Sequence, residues 1–181
     1  MPGYEVRVVD PETGADCPAG TPGELYVRGY AQMQGYYNKP AETAATVTPD
    51  GWIKTGDMAV LRADGHIRFL GRFKDMLKIG GENVSPAEVE AHLQALAGVR
   101  DAAVVGIADD RLSEIPVAFI ALAPESGLDE AAVIQSLEGR IASFKIPRRV
   151  FFLAELPATP SGKVRKAALR EQARARMAAE T

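Results

Sequence analysis

Asp57 is the first of several residues whose type and setting could do chemistry. It follows Gly56 at the edge of a predicted strand. A carboxylate in this position can accept hydrogen bonds from vicinal hydroxyl groups, such as those of a ribose. The alternative is a turn aspartate that accepts hydrogen bonds from nearby backbone N–H groups. The residues alone leave both interpretations open. Polar, glycine-punctuated segments of this kind occur at residues 35–40, 51–57, 71–90 and 156–164.

Glycines and a lysine mark the later segments as candidate ligand contacts. Gly80 and Gly81 allow the backbone to approach a ligand or to adopt a positive φ, although a plain turn would use them equally well. Lys163 follows Gly162 on a predicted loop, where its charge would suit a phosphate; a solvated surface lysine is the alternative. The phosphate-cradling pattern Gly-x-x-x-x-Gly-Lys-Ser/Thr occurs nowhere in the sequence.

Other basic residues and the histidines give weaker signals. Lys145, Arg148 and Arg149 form a basic cluster that could contact phosphates or could form a solvated face. His66 and His92 lie far apart and do not show the spacing of metal ligands, so no metal site is predicted.

Short strands must position the first two segments. An Asp64-Gly65 turn between apolar runs is a strong hairpin signal, and a short helix is expected near residues 41–47. We therefore expect residues 1–70 to form a β-rich, barrel-like unit. Strands are predicted at residues 5–9, 24–28, 58–62 and 66–69.

From residue 76 onward the pattern changes to mixed strands and helices. Ser85 and Glu88 fit a capping box for a helix that should end near Gly98, and Asp129 can cap a second helix. A third helix should follow Gly162. Strands are predicted at residues 99–107, 116–122 and 151–153.

A change of composition near residues 71 and 72 coincides with this change of pattern. We place a domain boundary there, so that residues 71–181 form a small α+β domain of about three helices on small sheets. The predicted fold class of the whole chain is α+β.

The composition limits the class of protein. The chain has 181 residues, is 46% hydrophobic and carries 21 Lys+Arg against 24 Asp+Glu, which argues against a strongly basic nucleic-acid binder. No apolar run approaches the ~20 residues of a membrane helix, and the N-terminus lacks a signal-peptide pattern. Cys17 is the only cysteine and has no identified base partner. We expect a cytoplasmic protein.

The four segments, in this order and spacing, closely resemble the adenylate-forming (AMP-binding) superfamily. It includes acyl-CoA synthetases, peptide-synthetase adenylation domains and firefly-type luciferases. The resemblance extends from about Tyr4 to Ala168, and residues 73–86 look most like acyl-CoA synthetases acting on fatty or related carboxylic acids. Such enzymes join a carboxylate to ATP, giving an acyl-adenylate and pyrophosphate, and the thiol of coenzyme A then displaces AMP. The implied ligands are therefore the acid, ATP or AMP, and coenzyme A.

The resemblance assigns nucleotide and hinge roles to four residues. Asp57 matches the aspartate that holds the ribose hydroxyls of ATP, and Arg72 matches an arginine near the ribose or phosphates. Lys163 matches the mobile catalytic lysine of adenylation, whose charge offsets that developing between the carboxylate and the α-phosphate. Lys74 matches the hinge about which the small C-terminal domain rotates between half-reactions.

The resemblance also assigns coenzyme A contacts. Lys78, Gly80 and Gly81 match the loop that enters the site after rotation, where Gly81 would leave room for the pantetheine arm. Lys145 and Arg149 are weaker matches to contacts with the coenzyme A phosphates. Mg²⁺ is expected in a full-length enzyme, but no metal ligand is identified in this sequence.

Several family segments have no counterpart here. The Ser/Thr/Gly-rich phosphate loop, the Tyr-Gly-x-Thr-Glu type segment and the region that forms the acyl pocket are absent. The chain thus resembles the last third of such an enzyme: the end of the large domain (residues 1–70) joined to the C-terminal lid domain (residues 71–181). It could be a truncated reading frame, a fragment or a natural half-enzyme. We expect it to lack full ligase activity alone.

Two alternatives to a ligase remain open. The chain could be a non-catalytic nucleotide- or coenzyme A-binding module that reuses the lid domain, or that pairs with a separate large subunit. A nucleic-acid binder that acts through the Arg-rich C-terminal tail is disfavoured, because the tail has no interleaved aromatic residues and the chain is acidic overall.

Overall fold

The chain divides into two compact units, Met1–Lys74 and Asp75–Thr181. The structure is a computed structural model, and it describes residues 3–179. The α+β class predicted from the sequence is confirmed, since both units combine helices with a sheet. No helix within residues 3–179 is long and apolar enough to cross a membrane.

The first unit is built on an antiparallel sheet of four strands in the order β1-β2-β3-β4. Within the described residues this sheet is open, so the barrel-like form expected for residues 1–70 is not a closed barrel. The hairpin predicted at Asp64-Gly65 is present, with Gly65 at φ +82°. The elements are β1 (Tyr4–Val9), β2 (Pro22–Gly29), α1 (Pro40–Thr46), β3 (Ile53–Leu61) and β4 (Ile67–Arg72).

The second unit contains a five-stranded sheet and three α-helices. β8 pairs antiparallel with β7 and parallel with β9. The helices and strands predicted here are present, although α2 ends at Gln94 and not near Gly98. The elements are β5 (Leu77–Ile79), β6 (Glu82–Val84), α2 (Pro86–Gln94), β7 (Val99–Asp109), β8 (Ser113–Leu122), α3 (Glu130–Leu137), β9 (Arg149–Leu153) and α4 (Lys166–Ala178).

The β7–β8 pair is covered on both faces, which explains its nearly continuous apolar sequence. Side chains alternate along a strand, so neighbours enter different cores. Ala102 and Val104 lie in the core that also contains residues of α2 and α3. Ala103 and Val105 lie in the core that also contains residues of α4. Both strands are therefore held from two sides.

The two predicted helix caps have different outcomes. Asp129 accepts a hydrogen bond from a backbone N–H in the first turn of α3 at 2.8 Å, as predicted. The capping box predicted for α2 is wrong: Ser85 is the N-cap residue, but its side chain does not cap the turn. Both carboxylate oxygens of Glu88 instead accept hydrogen bonds from Lys145 Nζ at 2.8 Å. Pro86 at the start of α2 lacks an N–H and so reduces the need for a cap.

Trp52 anchors the chain that leads into β3. It is the only tryptophan and is 7% exposed, in a cluster with Val9 and Tyr26. The guanidinium carbons of Arg7 and Arg28 each lie 4.6 Å from the centroid of the Trp52 ring, within cation–π range. Arg28 also donates two hydrogen bonds to the carboxylate of Glu5, at 3.1 and 2.9 Å.

We predict that Arg28→Ala lowers the free energy of unfolding of the first unit more than Arg62→Ala does, because it removes the contact with Trp52 and a bidentate ion pair. Urea unfolding followed by Trp52 fluorescence measures this change. Arg62→Ala is the matched control, since Arg62 pairs with Asp64 on the exposed hairpin and should contribute about 0–1 kcal/mol. Equal losses for the two variants would contradict the anchoring role of Arg28.

Candidate functional site

Asp57 is oriented by a bulge in β3. The register between β2 and β3 shifts between Glu24 and Tyr26, where residues 55–57 face a single residue of β2. Gly56 lies in the bulge at φ +70°, a conformation that glycine adopts without steric cost. The Gly56 N–H donates to Glu24 Oε1 at 3.1 Å. Bulges commonly redirect a side chain beside a functional site, and this one places Asp57 opposite Arg72 on β4.

The carboxylate of Asp57 is paired with Arg72, and its Oδ1 atom is buried. Arg72 Nε lies 2.9 Å from Asp57 Oδ1, but among the described residues no well-aligned donor reaches this oxygen. The Asp57 N–H donates to Thr55 Oγ1 at 3.1 Å. The turn interpretation requires backbone donors to the carboxylate, and Oδ1 has none. The Asp57 side chain keeps 22% of its surface exposed, so the geometry is compatible with a contact to a ligand hydroxyl.

Residues beside Asp57 line a groove of about 390 Å³ in the first unit. Three cationic side chains, Lys54, Arg72 and Lys74, face it together with one carboxylate, Glu24. This excess of positive charge suits an anionic group such as a phosphate. The remaining lining residues are Tyr36, Ala45, Thr46, Thr55, Gly56 and Phe73.

Lys74 lies in a short 3-10 helix, Phe73–Asp75, and the division between the units falls directly after it. The change of composition predicted a domain boundary near residues 71 and 72. In the structure, Gly71 and Arg72 are the last residues of β4 and pair with β3. The hinge role of Lys74 and the exact domain limits stay predictions.

The β5–β6 hairpin carries three of the predicted site residues. Gly80 and Gly81 form its two-residue turn, with φ values of +59° and +88°. Positive φ at both central residues defines a type I′ turn. A Cβ atom at Gly81 would meet nothing within 4 Å, so glycine is needed here for the backbone and leaves open space. Lys78 is exposed between two buried residues of β5.

Lys163 lies on a tight loop before α4. Its carbonyl accepts the Thr159 N–H at 2.8 Å, and its own N–H donates to Thr159 Oγ1 at 3.1 Å. Gly162, at φ +80°, completes the turn. The ammonium of Lys163 has no ion-pair partner within residues 3–179. A fixed backbone therefore presents a charge that can reach a phosphate or a carboxylate.

Lys145 and Arg149 are both paired with carboxylates. Lys145 binds Glu88, as described above, and Arg149 Nε donates to Glu130 Oε1 at 3.0 Å. The guanidinium of Arg149 also lies 5.5 Å from the ring centroid of Phe151. A coenzyme A phosphate would have to compete with these carboxylates, and the assignment of both residues stays a prediction.

A cavity of about 500 Å³ in the second unit is lined by a different set of cationic side chains. Neither Arg111 nor Arg148 forms a close ion pair with any residue of the described range. Leu112 connects the cavity to the β5–β6 hairpin, because its carbonyl accepts the Gly80 N–H at 2.8 Å. The cavity is lined by Asp109, Arg111, Leu112, Ile115, Arg148, Arg149 and Met177.

Asp109 fixes the turn that presents Arg111. Its Oδ1 accepts the N–H groups of Leu112 and Arg111, both at 2.9 Å. The hydrogen bonds from Leu112 and then Arg111 lower the pKa of Asp109, with a smaller contribution from the charges of Arg111 and Arg148. Arg111 was not among the site residues predicted from the sequence. The Asp-Asp-Arg turn was the available signal, but the cavity depends on the pairing of β9 with β8, which no local pattern predicts.

The histidine and cysteine residues do not form a reactive centre. His66 Nδ1 lies 3.2 Å from Asp64 Oδ1 on the exposed hairpin. Burial, together with the charges of Asp10 and Asp16, raises the pKa of the Cys17 thiol and so lowers its reactivity. Over residues 3–179, no group of three His, Cys, Asp or Glu side chains could hold a metal ion.

Sequence comparisons identify the family. Residues 1–37 match the family profile of the AMP-binding enzyme, and residues 88–163 match that of the AMP-binding enzyme C-terminal domain. The chain is 41% identical over 175 residues to 4-coumarate–CoA ligase 5 from Oryza sativa subsp. japonica, covering 97% of this chain and 32% of the relative. It is 43% identical over 172 residues to a mitochondrial medium-chain acyl-CoA ligase from Rattus norvegicus, covering 95% and 28%.

Solved structures agree with this result. The ATP-bound crystal structure of MatB from Rhodopseudomonas palustris matches 95% of this chain and 34% of its own, with 37% identity and a TM-score of 0.89. The apo crystal structure of the same protein matches the same shares with a TM-score of 0.70 and 38% identity. The two MatB structures thus differ from each other over the matched region.

The chain belongs to the adenylate-forming (AMP-binding) family, and its relatives are CoA ligases. It spans about a third of the length of the curated relatives that it matches. The predicted residues fall in two groups: Asp57, Arg72 and Lys74 lie in the first unit, and the remaining site residues lie in the second. The latter are Lys78, Gly80, Gly81, Lys145, Arg149 and Lys163.

Proposed function

We propose that this chain is part of an AMP-forming acid–thiol ligase, an acyl-CoA synthetase. It would contribute the aspartate that binds the nucleotide ribose and the C-terminal domain. The reaction converts a carboxylate, ATP and coenzyme A into acyl-CoA, AMP and pyrophosphate through an acyl-adenylate. The observation that carries the proposal is the Asp57–Arg72 pair at the β3 bulge, where no backbone donor of the described residues reaches Asp57 Oδ1, beside a cationic groove.

In the first half-reaction, a carboxylate oxygen of the acid attacks the α-phosphorus of ATP, and pyrophosphate leaves. Asp57 would accept hydrogen bonds from the ribose hydroxyls, and Arg72 would contact the ribose or phosphates. Lys163 would stabilise the charge that develops between the carboxylate and the α-phosphate. Its unpaired ammonium on a fixed loop supports this role.

In the second half-reaction, the sulfur of coenzyme A attacks the acyl carbonyl carbon, AMP leaves, and the thiol proton passes to solvent or to a base. Lys74 would serve as the hinge between half-reactions. The division of units after Lys74, and the difference between the two MatB structures over the matched region, support a hinge. The turn that contains Gly80 and Gly81 would then admit the pantetheine arm, with Lys78 beside it.

The cavity that contains Arg111 and Arg148 is our proposed contact for the coenzyme A phosphates. Two arginines without close ion pairs are better available to an anion than Lys145 and Arg149, which bind carboxylates. The cavity also adjoins the Gly80 turn through Leu112, so one bound molecule could contact both.

The acid substrate is proposed only as a class. Residues 73–86 favour a fatty or related carboxylic acid, and the two curated relatives named above are ligases of 4-coumarate and of medium-chain acyl groups. Both aromatic and aliphatic acids therefore belong in the assays. A non-catalytic nucleotide- or coenzyme A-binding module is the second candidate, because the groove beside Asp57 and the cavity with Arg111 and Arg148 would serve binding without catalysis equally well.

The isolated chain is expected to show no ligase turnover, because its sequence lacks a phosphate loop and an acyl pocket. Pyrophosphate release and hydroxamate formation with ATP and medium-chain, long-chain or 4-coumaric acids measure this. Turnover clearly above that of a Lys163→Ala control would show that the chain is a complete catalyst. Binding of AMP or coenzyme A without turnover is the expected result.

Asp57→Asn should weaken AMP binding to the chain by about tenfold, because the variant loses a charged acceptor for the ribose hydroxyls. Isothermal titration calorimetry with AMP and with 2′,3′-dideoxy-AMP tests the contact directly. The variant should lose affinity for AMP but not for the dideoxy compound. Asp64→Asn, on the exposed hairpin, is the control. An unchanged AMP affinity in Asp57→Asn would contradict the ribose assignment.

Arg148→Ala should weaken coenzyme A binding by about tenfold, whereas Lys145→Ala should change it by less than about threefold. Titrations with coenzyme A and with dephospho-coenzyme A, at low and high salt, measure the contribution of the phosphates. A larger loss in Lys145→Ala than in Arg148→Ala would instead favour the original assignment of Lys145.

A further inference from the structure

The hairpin that carries Lys78, Gly80 and Gly81 packs Leu77, Ile79 and Val84 in the core, but few backbone hydrogen bonds join it to the rest of its sheet. Within residues 3–179, the ladder between β5 and β8 consists of one pair, Ile79 with Ser113. The Gly80 N–H adds one hydrogen bond to the Leu112 carbonyl at 2.8 Å. A three-residue strand held by so short a ladder needs further support if its turn is to keep a fixed position.

Glu114 supplies that support through its side chain. The Lys78 N–H donates to Glu114 Oε2 at 2.7 Å, a short bond to a charged acceptor. This bond joins Glu114, the second residue of β8, to Lys78, the central residue of β5. The carboxylate therefore takes the place of a backbone acceptor where the ladder has ended.

The position of the Glu114 carboxylate is fixed from the other side by Gly106. A Cβ atom at Gly106 would lie 2.6 Å from Glu114 Oε1 and 2.9 Å from its Cδ. Glycine on β7 thus makes room for the carboxylate between β7 and β5. Ser113 precedes Glu114 at φ +68°, an uncommon conformation for a residue other than glycine. The backbone is therefore bent at Ser113, directly before Glu114, whose side chain contacts Lys78.

We propose that Glu114 is a positioning residue for the coenzyme A half-reaction, and that it acts by fixing the Gly80–Gly81 turn. The inference rests on the proposed function, because it assumes that this turn borders the path of the pantetheine arm. Glu114 bonds to Lys78 in the strand that leads into the turn, and it would act through this strand and not on the reacting atoms. It should therefore affect coenzyme A binding and leave the AMP contact at Asp57, which is in the other unit, unchanged.

The first experiment measures amide hydrogen exchange by NMR in the chain and its variants. Glu114→Ala should increase the exchange rates of the Lys78 and Gly80 N–H groups by about tenfold or more, because the charged acceptor is lost. Glu114→Gln should give a smaller increase, since an amide oxygen can still accept the bond. Amides of Val104 and Val117 within the buried strand pair should be unchanged and report on global stability.

The second experiment titrates the same proteins with coenzyme A and with AMP. Glu114→Ala should weaken coenzyme A binding by about tenfold, Glu114→Gln should restore part of it, and AMP binding should stay constant. Glu155→Ala is the matched control, because Glu155 is an exposed glutamate of the same unit.

The two experiments test separately whether Glu114 holds the turn in place and whether this affects coenzyme A binding. Unchanged Lys78 and Gly80 exchange in Glu114→Ala would overturn the positioning role. So would faster exchange with unaltered coenzyme A affinity. If the wild-type chain does not bind coenzyme A, the proposed function fails on that point and the functional part of the inference fails with it. The exchange data would then still decide whether Glu114 holds the turn.

Discussion

Burial of the β7–β8 pair on both faces is the constraint on which the second unit depends. One face packs in the core shared with α2 and α3, and the other in the core shared with α4. Because helices cover both faces, the pair cannot slip by one residue without placing every side chain in the wrong core. The fixed register of these strands also fixes the positions of the segments that join or flank them. They include the Asp109 turn and the β5–β6 hairpin.

Carboxylates accept backbone N–H groups of strand residues at four places in the fold. In each case a glutamate oxygen accepts one backbone N–H, and a charged acceptor makes a stronger bond than a neutral one. Two of these bonds lie at predicted site segments, the β3 bulge and the β5–β6 hairpin. The pairs are Glu24 with Gly56, Glu114 with Lys78, Glu90 with Val104, and Glu130 with Val150.

Much of the fold could be predicted because its signals are local. The Asp64-Gly65 hairpin, the cap at Asp129 and the apolar runs of β7 and β8 each depend on neighbouring residues. The capping box at Ser85 was wrong because a distant cation, Lys145, binds the Glu88 carboxylate. The open form of the first sheet was also not predictable, since strand patterns do not specify which edges pair.

Asp57 and Lys163 were predicted as site residues from motifs. The sequence could not show which of the basic side chains are free of ion pairs and can therefore bind a ligand. This availability depends on long-range pairing: Lys145 binds a carboxylate 57 residues away, and Lys166 binds Glu90 across 76 residues. A cation held in this way contributes to the fold, and a ligand must displace its partner before binding it.

Arg111, Arg148 and Lys163 make no such close pair within the described residues. Each lies on a turn or at a strand end whose backbone is fixed by neighbouring hydrogen bonds. An unpaired charge on a fixed backbone can bind an anion without breaking an existing ion pair and with little loss of backbone entropy. Among the cations of the second unit, the division between paired and unpaired side chains therefore separates groups that hold the fold together from groups that can bind an anion directly.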